Sequence, residues 1–435
     1  MKRRAKIFYG WWIVVACLVM DAVGHGAFQK AFTIYFLPIQ RSLGLSRAGY
    51  SQAELLGRLA GAAQAPMAGY LFDRVGPSPM MVAGGLILGL GFVLLGYANS
   101  YGFFLFAYVA LLSVGSRVGF NNASSVALNQ WFRRKRSLVM SVVSTGQGLG
   151  GVIFTPLVTL AVLELGWRPS VIISGIVIVA VVVPLAFLVK RSPETMGLLP
   201  DGDRSETPEA LVRARRRARE AASGGQTSRD ADFTVNEAMA TPSYWLFTAA
   251  AALRDAGHAG VRWHLAPLMV WSGVSLRTAG FLISLMSLCT LLFNPVTGWL
   301  GDSWSKQKIS SIGMTAGVVG LVVLLAGTGR LWELVLFTVL LAFSETSNPL
   351  NWAIMGDFFG RTSYGRLRGW QHVPNHLISM PFPWLVGLIF DRTDSYYWGI
   401  VLLAAIYGGA AFFYWTLPRP KAPVRPLEAS AVGAA

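Results

Sequence analysis

Arg254, His258 and Arg262 recur at four-residue spacing within an apolar stretch, with Asp255 beside them. That spacing puts all three on one face of a helix. Such a stripe could hold an anion or pass a proton, or it could be a set of internal ion pairs that only holds helices together. Asp21 and His25 lie one turn apart, and the same alternatives apply: a proton carrier with its neighbour, or a hydrogen-bonded helix contact. Arg117 with Asn121 forms a further four-residue pair, and Lys30 and Glu345 stand in similarly apolar surroundings. Glu54 and Arg58 read as a self-neutralising pair or an outer gate, and His372, Asn375, His376, Asn348 and Asn351 could supply substrate hydrogen bonds, although interhelical polar contacts are the favoured reading.

Lys30, Arg117, Arg254 and Arg262 outnumber Asp21, Asp255 and Glu345 by one positive charge with histidines neutral. An anionic solute would balance that excess. The three carboxylates and the histidines are the groups whose protonation burial and substrate charge could move, with Asp21 the preferred proton carrier. Cys17 and Cys289 are isolated packing residues, so no metal centre is expected, and nothing in the sequence asks for a cofactor. Gly146-Gln-Gly-Leu-Gly150 has the glycine spacing of a dinucleotide loop but follows no strand; close helix packing explains it.

The elements that must carry these groups are membrane helices. Of 435 residues, 54% are hydrophobic and 13% charged, against roughly 25% charged in soluble domains. A bilayer core of about 30 Å needs roughly 20 apolar residues per helix. Runs of that kind fall near 10–36, 50–72, 79–99, 102–130, 137–164 and 169–189, then 244–270, 278–300, 309–328, 332–355, 368–390 and 397–417. The expected fold is an all-α membrane protein with twelve transmembrane helices. A charge at the centre of a bilayer costs about 2.5–3.5 kcal/mol or more, so each ionisable residue should face a partner or water. Helices three, six, nine and twelve contain none, whereas one, four, seven and ten hold the groups above.

Lys and Arg gather at residues 2–6, 133–136, 306–308, 361–368 and 419–425 and in the polar stretch 190–241, which includes Arg213 to Arg219. All fall on one side, which should be the cytoplasm, with both termini there and the protein multi-pass in the plasma or inner membrane. The net charge of +16 is thereby assigned to topology and anionic lipid, and not to nucleic acid. The basic start and first apolar run imitate a signal peptide. Asp21 and the lack of a cleavage site before Lys30 favour a retained helix.

The chain also repeats itself at a shift near 230 residues. Gly69-Tyr-Leu-Phe-Asp73 matches Gly298-Trp-Leu-Gly-Asp302, Gly24-His25 matches Gly257-His258, and Trp131-Phe132 with Pro156 matches Phe358-Phe359 with Pro383. Two parallel six-helix halves follow, 1–189 and 242–417, with a cytoplasmic linker at 190–241 and a tail at 418–435.

These landmarks resemble the major facilitator superfamily. Gly69, Asp73, Arg74 and Gly76 fit its signature after helix two, although Ser78 and Pro79 stand where its last basic residue is usual. The resemblance implies that Asp73 meets the start of helix eleven and locks one face, with Asp302 its second-half counterpart, and that helices one, four, seven and ten line a cavity. Phe8-Tyr-Gly-Trp-Trp12, Trp131-Phe-Arg-Arg-Lys-Arg136 with Leu138, Gly146 and Gly150, and Ala27-Phe-Gln-Lys30 resemble the monocarboxylate transporter and oxalate/formate antiporter branch. Lys30 falls on that branch's substrate-binding lysine, while its Asp and Arg of helix eight fall on Thr290 and Asn294.

The expectation is a monomeric secondary transporter of a small, monocarboxylate-like anion, working by alternating access with proton coupling. Lys30, Arg117, Asn121, Arg254, His258 and Arg262 are its candidate substrate residues, and Asp21, His25, Asp255 and Glu345 its proton-coupling candidates. An exchanger or efflux carrier, and a non-transporting receptor or scaffold, stay open as alternatives. No soluble catalytic domain is visible, so no enzyme is expected.

Overall fold

The computed structural model describes residues 8–132, 136–196, 198, 233–360 and 364–420. The first half comprises α1 (Gly10–Ser42), α2 (Arg47–Val75), α3 (Pro77–Gly96), α4 (Tyr101–Gly119, continued by Asn121–Trp131), α5 (Arg136–Leu165) and α6 (Trp167–Leu188). The second comprises α7 (Pro242–Trp271), α8 (Leu276–Ser303), α9 (Lys306–Ala326), α10 (Leu331–Glu345, continued by Ser347–Phe359), α11 (Tyr364–Ser379, continued by Phe382–Thr393) and α12 (Tyr397–Thr416). Short turns at Pro193–Met196 and Val235–Met239 flank the linker. Its basic run Arg213 to Arg219, like residues 2–6, 133–135, 361–363 and 421–425, lies outside the described residues.

Among the described residues, nine segments are long and apolar enough to cross a membrane. The three helices outside that set are α2, α7 and α10, and each carries ionisable residues of the site described below. Large apolar side chains such as Ile153, Leu157, Ile176, Phe187 and Trp398 face outward. A soluble protein would bury them; here lipid is their solvent.

Local signals fix the helix ends. Ser100, Thr241 and Ser275 cap α4, α7 and α8 by accepting from the amide three residues on. Gly76 and Gly166, at φ 90° and 84°, turn α2 into α3 and α5 into α6 within a single residue, a conformation that L side chains resist. Polar termini are thus satisfied at the ends of each hairpin.

With lipid outside, helices gain little from the hydrophobic effect and hold together by close packing. A Cβ at Gly150 would overlap the backbone of Ala22, one at Gly26 would press on Gly150, and Gly84 meets Gly119 in the same way. These contacts bind α1 to α5 and α3 to α4. The two halves meet toward the α1–α2 turn, where Thr33 Oγ1 donates to the Trp263 carbonyl and accepts from the Ala266 amide, both at 3.2 Å. In the same region Trp263 Nε1 donates to Ser51 Oγ at 3.1 Å.

Gly150→Ala should lower the thermal midpoint of the purified protein in detergent, with a cost of about 1–3 kcal/mol from the forced separation of α1 and α5. Gly408→Ala, whose added methyl meets nothing within 4 Å, should leave it unchanged. Equal midpoints for the two variants would contradict this packing.

Candidate functional site

Helical irregularity shapes the site. In α1, Gly26–Lys30 is a π-turn, closed by the Ala31 amide on the Gly26 carbonyl at 2.8 Å. In α4, Ala107–Ser113 is a second. Each widens the helix by a residue per turn and so departs from the regular four-residue stripe. Phe28 and Gln29 from the first, and Tyr108 and Ser113 from the second, line one cavity of about 380 Å³. Opposite α4, Gly57 and Gly61 of α2 form a recess, because a Cβ at Gly57 would overlap Ser113 and one at Gly61 would overlap the Arg117 guanidinium. Arg117 therefore lies along α2 and reaches the cavity.

Glu54, Arg58, Arg117 and Arg262 put charge in the cavity wall, and the candidate Lys30 with Glu345 sits outside that lining, joined to it through Arg262. Lys30 Nζ donates to Glu345 Oε2 at 3.1 Å, and Arg262 Nε stands 3.6 Å from Glu345 Oε1. Glu345 closes the first segment of α10 in a buried position, so both cations offset the cost of burying its charge. Its Oε1 is buried without a hydrogen bond among the described residues. Glu54 accepts from Arg58 Nε and from Tyr108 OH, each at 2.7 Å. Arg117 makes no ion pair among the described residues, and the side chain of Arg262 is 42% exposed, facing the cavity. The arrangement offers two guanidinium groups to a ligand, with acids already engaged behind them.

The family model of the Major Facilitator Superfamily matches residues 11–254 and again 238–434. The chain belongs to that superfamily. It is a transporter and not an enzyme, built as twelve membrane helices in two parallel halves. It is 25% identical over 407 residues to the oxalate:formate antiporter of Oxalobacter formigenes, covering 92% of this chain and 83% of that one. It is 24% identical over 400 residues to monocarboxylate transporter 12-B of Danio rerio, covering 89% and 82%. In fold it is similar to the crystal structure of a D-xylose-proton symporter, with a TM-score of 0.72 at 14% identity over 96% of this chain and all of that one (100%). A bacterial homologue of the lysosomal transporter Spinster, inward-facing and occupied, gives 0.69 at 15% identity, over 94% and 97%.

In this facilitator the expected stripe on α7 divides. Only Arg262 faces the cavity. His258 is buried against Ser344 Oγ at 3.2 Å and the Tyr407 ring, and Arg254 is 1% exposed. Arg254 Nη2 and Nε meet Asp255 Oδ1 at 2.6 and 3.0 Å, Asn375 Nδ2 donates to Asp255 Oδ2 at 2.6 Å, and Arg254 Nη1 donates to the Ser347 carbonyl at 3.3 Å. This knot fastens α7 to α10 and α11. The reason is that Gly257 and Gly260 draw that face of α7 onto Tyr407 and Leu403 of α12.

Asp21 also points away from the cavity. It is buried between α1 and α4, accepting from Ser124 Oγ at 3.1 Å, while His25 holds the Asp21 carbonyl at 3.2 Å and borders the cavity. Glu54 and Arg58 form the pair read from sequence and also line the site, and Trp263 joins them unforeseen. Of the gating set, Gly76 forms the α2–α3 turn and Arg74 is exposed at the end of α2. Gly69 and the side chains of Asp73, Asn121 and Asp302 lie outside those described. The halves are latched at the other face by a residue that spacing did not single out. Asp391 of α11 accepts the Arg47 and Ala48 amides at the start of α2, both at 2.8 Å.

Asp255→Ala strands Arg254 in an apolar interior and should destabilise the fold by about 3 kcal/mol or more. Reversible denaturation of the reconstituted protein measures this. Wild-type stability would show that the knot does not hold the second half.

Proposed function

We propose that this protein moves a small organic anion across the cytoplasmic membrane by alternating access, with proton coupling, from a structure whose termini lie in the cytoplasm. The observation that carries the reading is Arg117, a cation in the cavity wall without an acid partner among the described residues, beside a second guanidinium at Arg262. An anion settling between them gains charge-assisted hydrogen bonds. The formate and monocarboxylates named for the relatives above are single carboxylates, which fit that chemistry.

Glu345 supplies the coupling. It joins α1 to α10 across the halves through Lys30 and shares Arg262 with the incoming anion. An anion drawing on Arg262 weakens the hold on Glu345, a proton then neutralises it, and the Lys30 bridge between the halves is released. The halves are free to rock only once both have bound. The Lys and Arg distribution favours a cytoplasmic opening, because the Asp391 latch closes the face carrying the α1–α2 turn. Exchange of two anions is the second reading, favoured by the similarity to an antiporter.

In proteoliposomes, Arg117→Gln and Arg262→Gln should each reduce uptake of a transported carboxylate roughly tenfold or more, the loss of one charged hydrogen bond. Undiminished flux in both variants would contradict the anion site.

A further inference from the structure

We infer that the anion is a monocarboxylate with a flat aromatic body, an inference that rests on the anion-transport reading and narrows it. One wall of the cavity is a continuous patch of rings from both halves. Phe32 and Tyr108 centroids stand 5.3 Å apart, Phe28 and Tyr108 5.8 Å, Tyr108 and Trp263 5.6 Å, and Phe32 and Trp263 5.9 Å. Their polar handles are already occupied: Tyr108 OH donates to Glu54 at 2.7 Å and Trp263 Nε1 to Ser51 at 3.1 Å. Phe28 and Trp263, the partly exposed members, offer a ligand ring surface, and the buried Phe32 and Tyr108 back them and fix their positions before anything binds. Offset and edge-to-face contacts with such surface favour another aromatic ring over a compact polar group.

The rest of the cavity sets the charge. Arg58 is neutralised by Glu54, and the Glu54 carboxylate also acts electrostatically on Arg117. A second negative charge on the ligand would meet that carboxylate, so one carboxylate on Arg117 is matched and a dianion is not. Guanidinium geometry suits a carboxylate in two parallel hydrogen bonds. The volume of about 380 Å³ falls among pockets that enclose ring-sized ligands, which run from roughly 300 to 1,000 Å³. A two-carbon acid would leave the ring wall wet.

The test is calorimetric titration of the full-length protein in lipid nanodiscs with benzoate, cyclohexanecarboxylate, acetate and oxalate. Benzoate should bind roughly tenfold tighter than each of the other three. Phe28→Leu, which keeps an apolar side chain and removes the ring, should cost most of that preference, and Arg117→Gln should weaken benzoate and acetate alike. Equal affinity for benzoate and acetate or oxalate would overturn the aromatic assignment and leave anion transport standing. Equal affinity for benzoate and cyclohexanecarboxylate would overturn the need for a flat ring. Binding of none of the four by a protein still helical by circular dichroism would remove the anion site itself, and this inference with it.

Discussion

A carboxylate held inside a membrane is unfavourable to bury, and Glu345, at the break in α10, is in that position. Lys30 from the first half and Arg262 from the second relieve that cost. Much else in the site follows from holding them there. The π-turn in α1 delivers Lys30, the break at Thr346 ends the α10 segment at Glu345, and α7 presents Arg262 while its opposite face is fastened by the Arg254–Asp255–Asn375 knot. Because the bridge spans the halves, whatever changes the charge at Glu345 changes how firmly they are joined.

The repeat sets where such departures fall. Both α4, at Phe120, and α10, at Thr346, break roughly three turns before the matched aromatic pairs Trp131-Phe132 and Phe358-Phe359. The first half carries Arg117 just before its break and the second carries Glu345 just before its own, opposite charges in related stretches of the two halves. At the far face, Asp391 capping α2 adds a contact made of backbone amides, which closes that face without drawing on the cavity's charges.

The fold was legible because bilayer length and charge cost act on every residue. Apolar runs, loop charges and the internal match marked twelve helices whose ends differ from the expected ones by a few residues, the largest extension being α1 to Ser42. Of the polar helices one, four, seven and ten, the first three line the cavity, while α2 takes the place expected of α10. Which side chains enter the cavity was not legible, because four-residue spacing assumes a regular helix and a known rotation. Two π-turns break the first assumption, and glycine contacts between α7 and α12 set the second, turning Arg254 and His258 inward to protein. Glu54 and Arg58 satisfy each other four residues apart, so spacing alone did not mark them as cavity-lining, while Asp391 acts on a residue more than three hundred positions away.

The central claim is that Glu345 joins the halves and links anion to proton. Glu345→Gln tests it most directly in proteoliposomes by comparing carboxylate exchange without a gradient to accumulation driven by an imposed pH difference. The claim predicts that exchange persists in the variant and pH-driven accumulation is lost. Accumulation equal to that of the unaltered protein would contradict it.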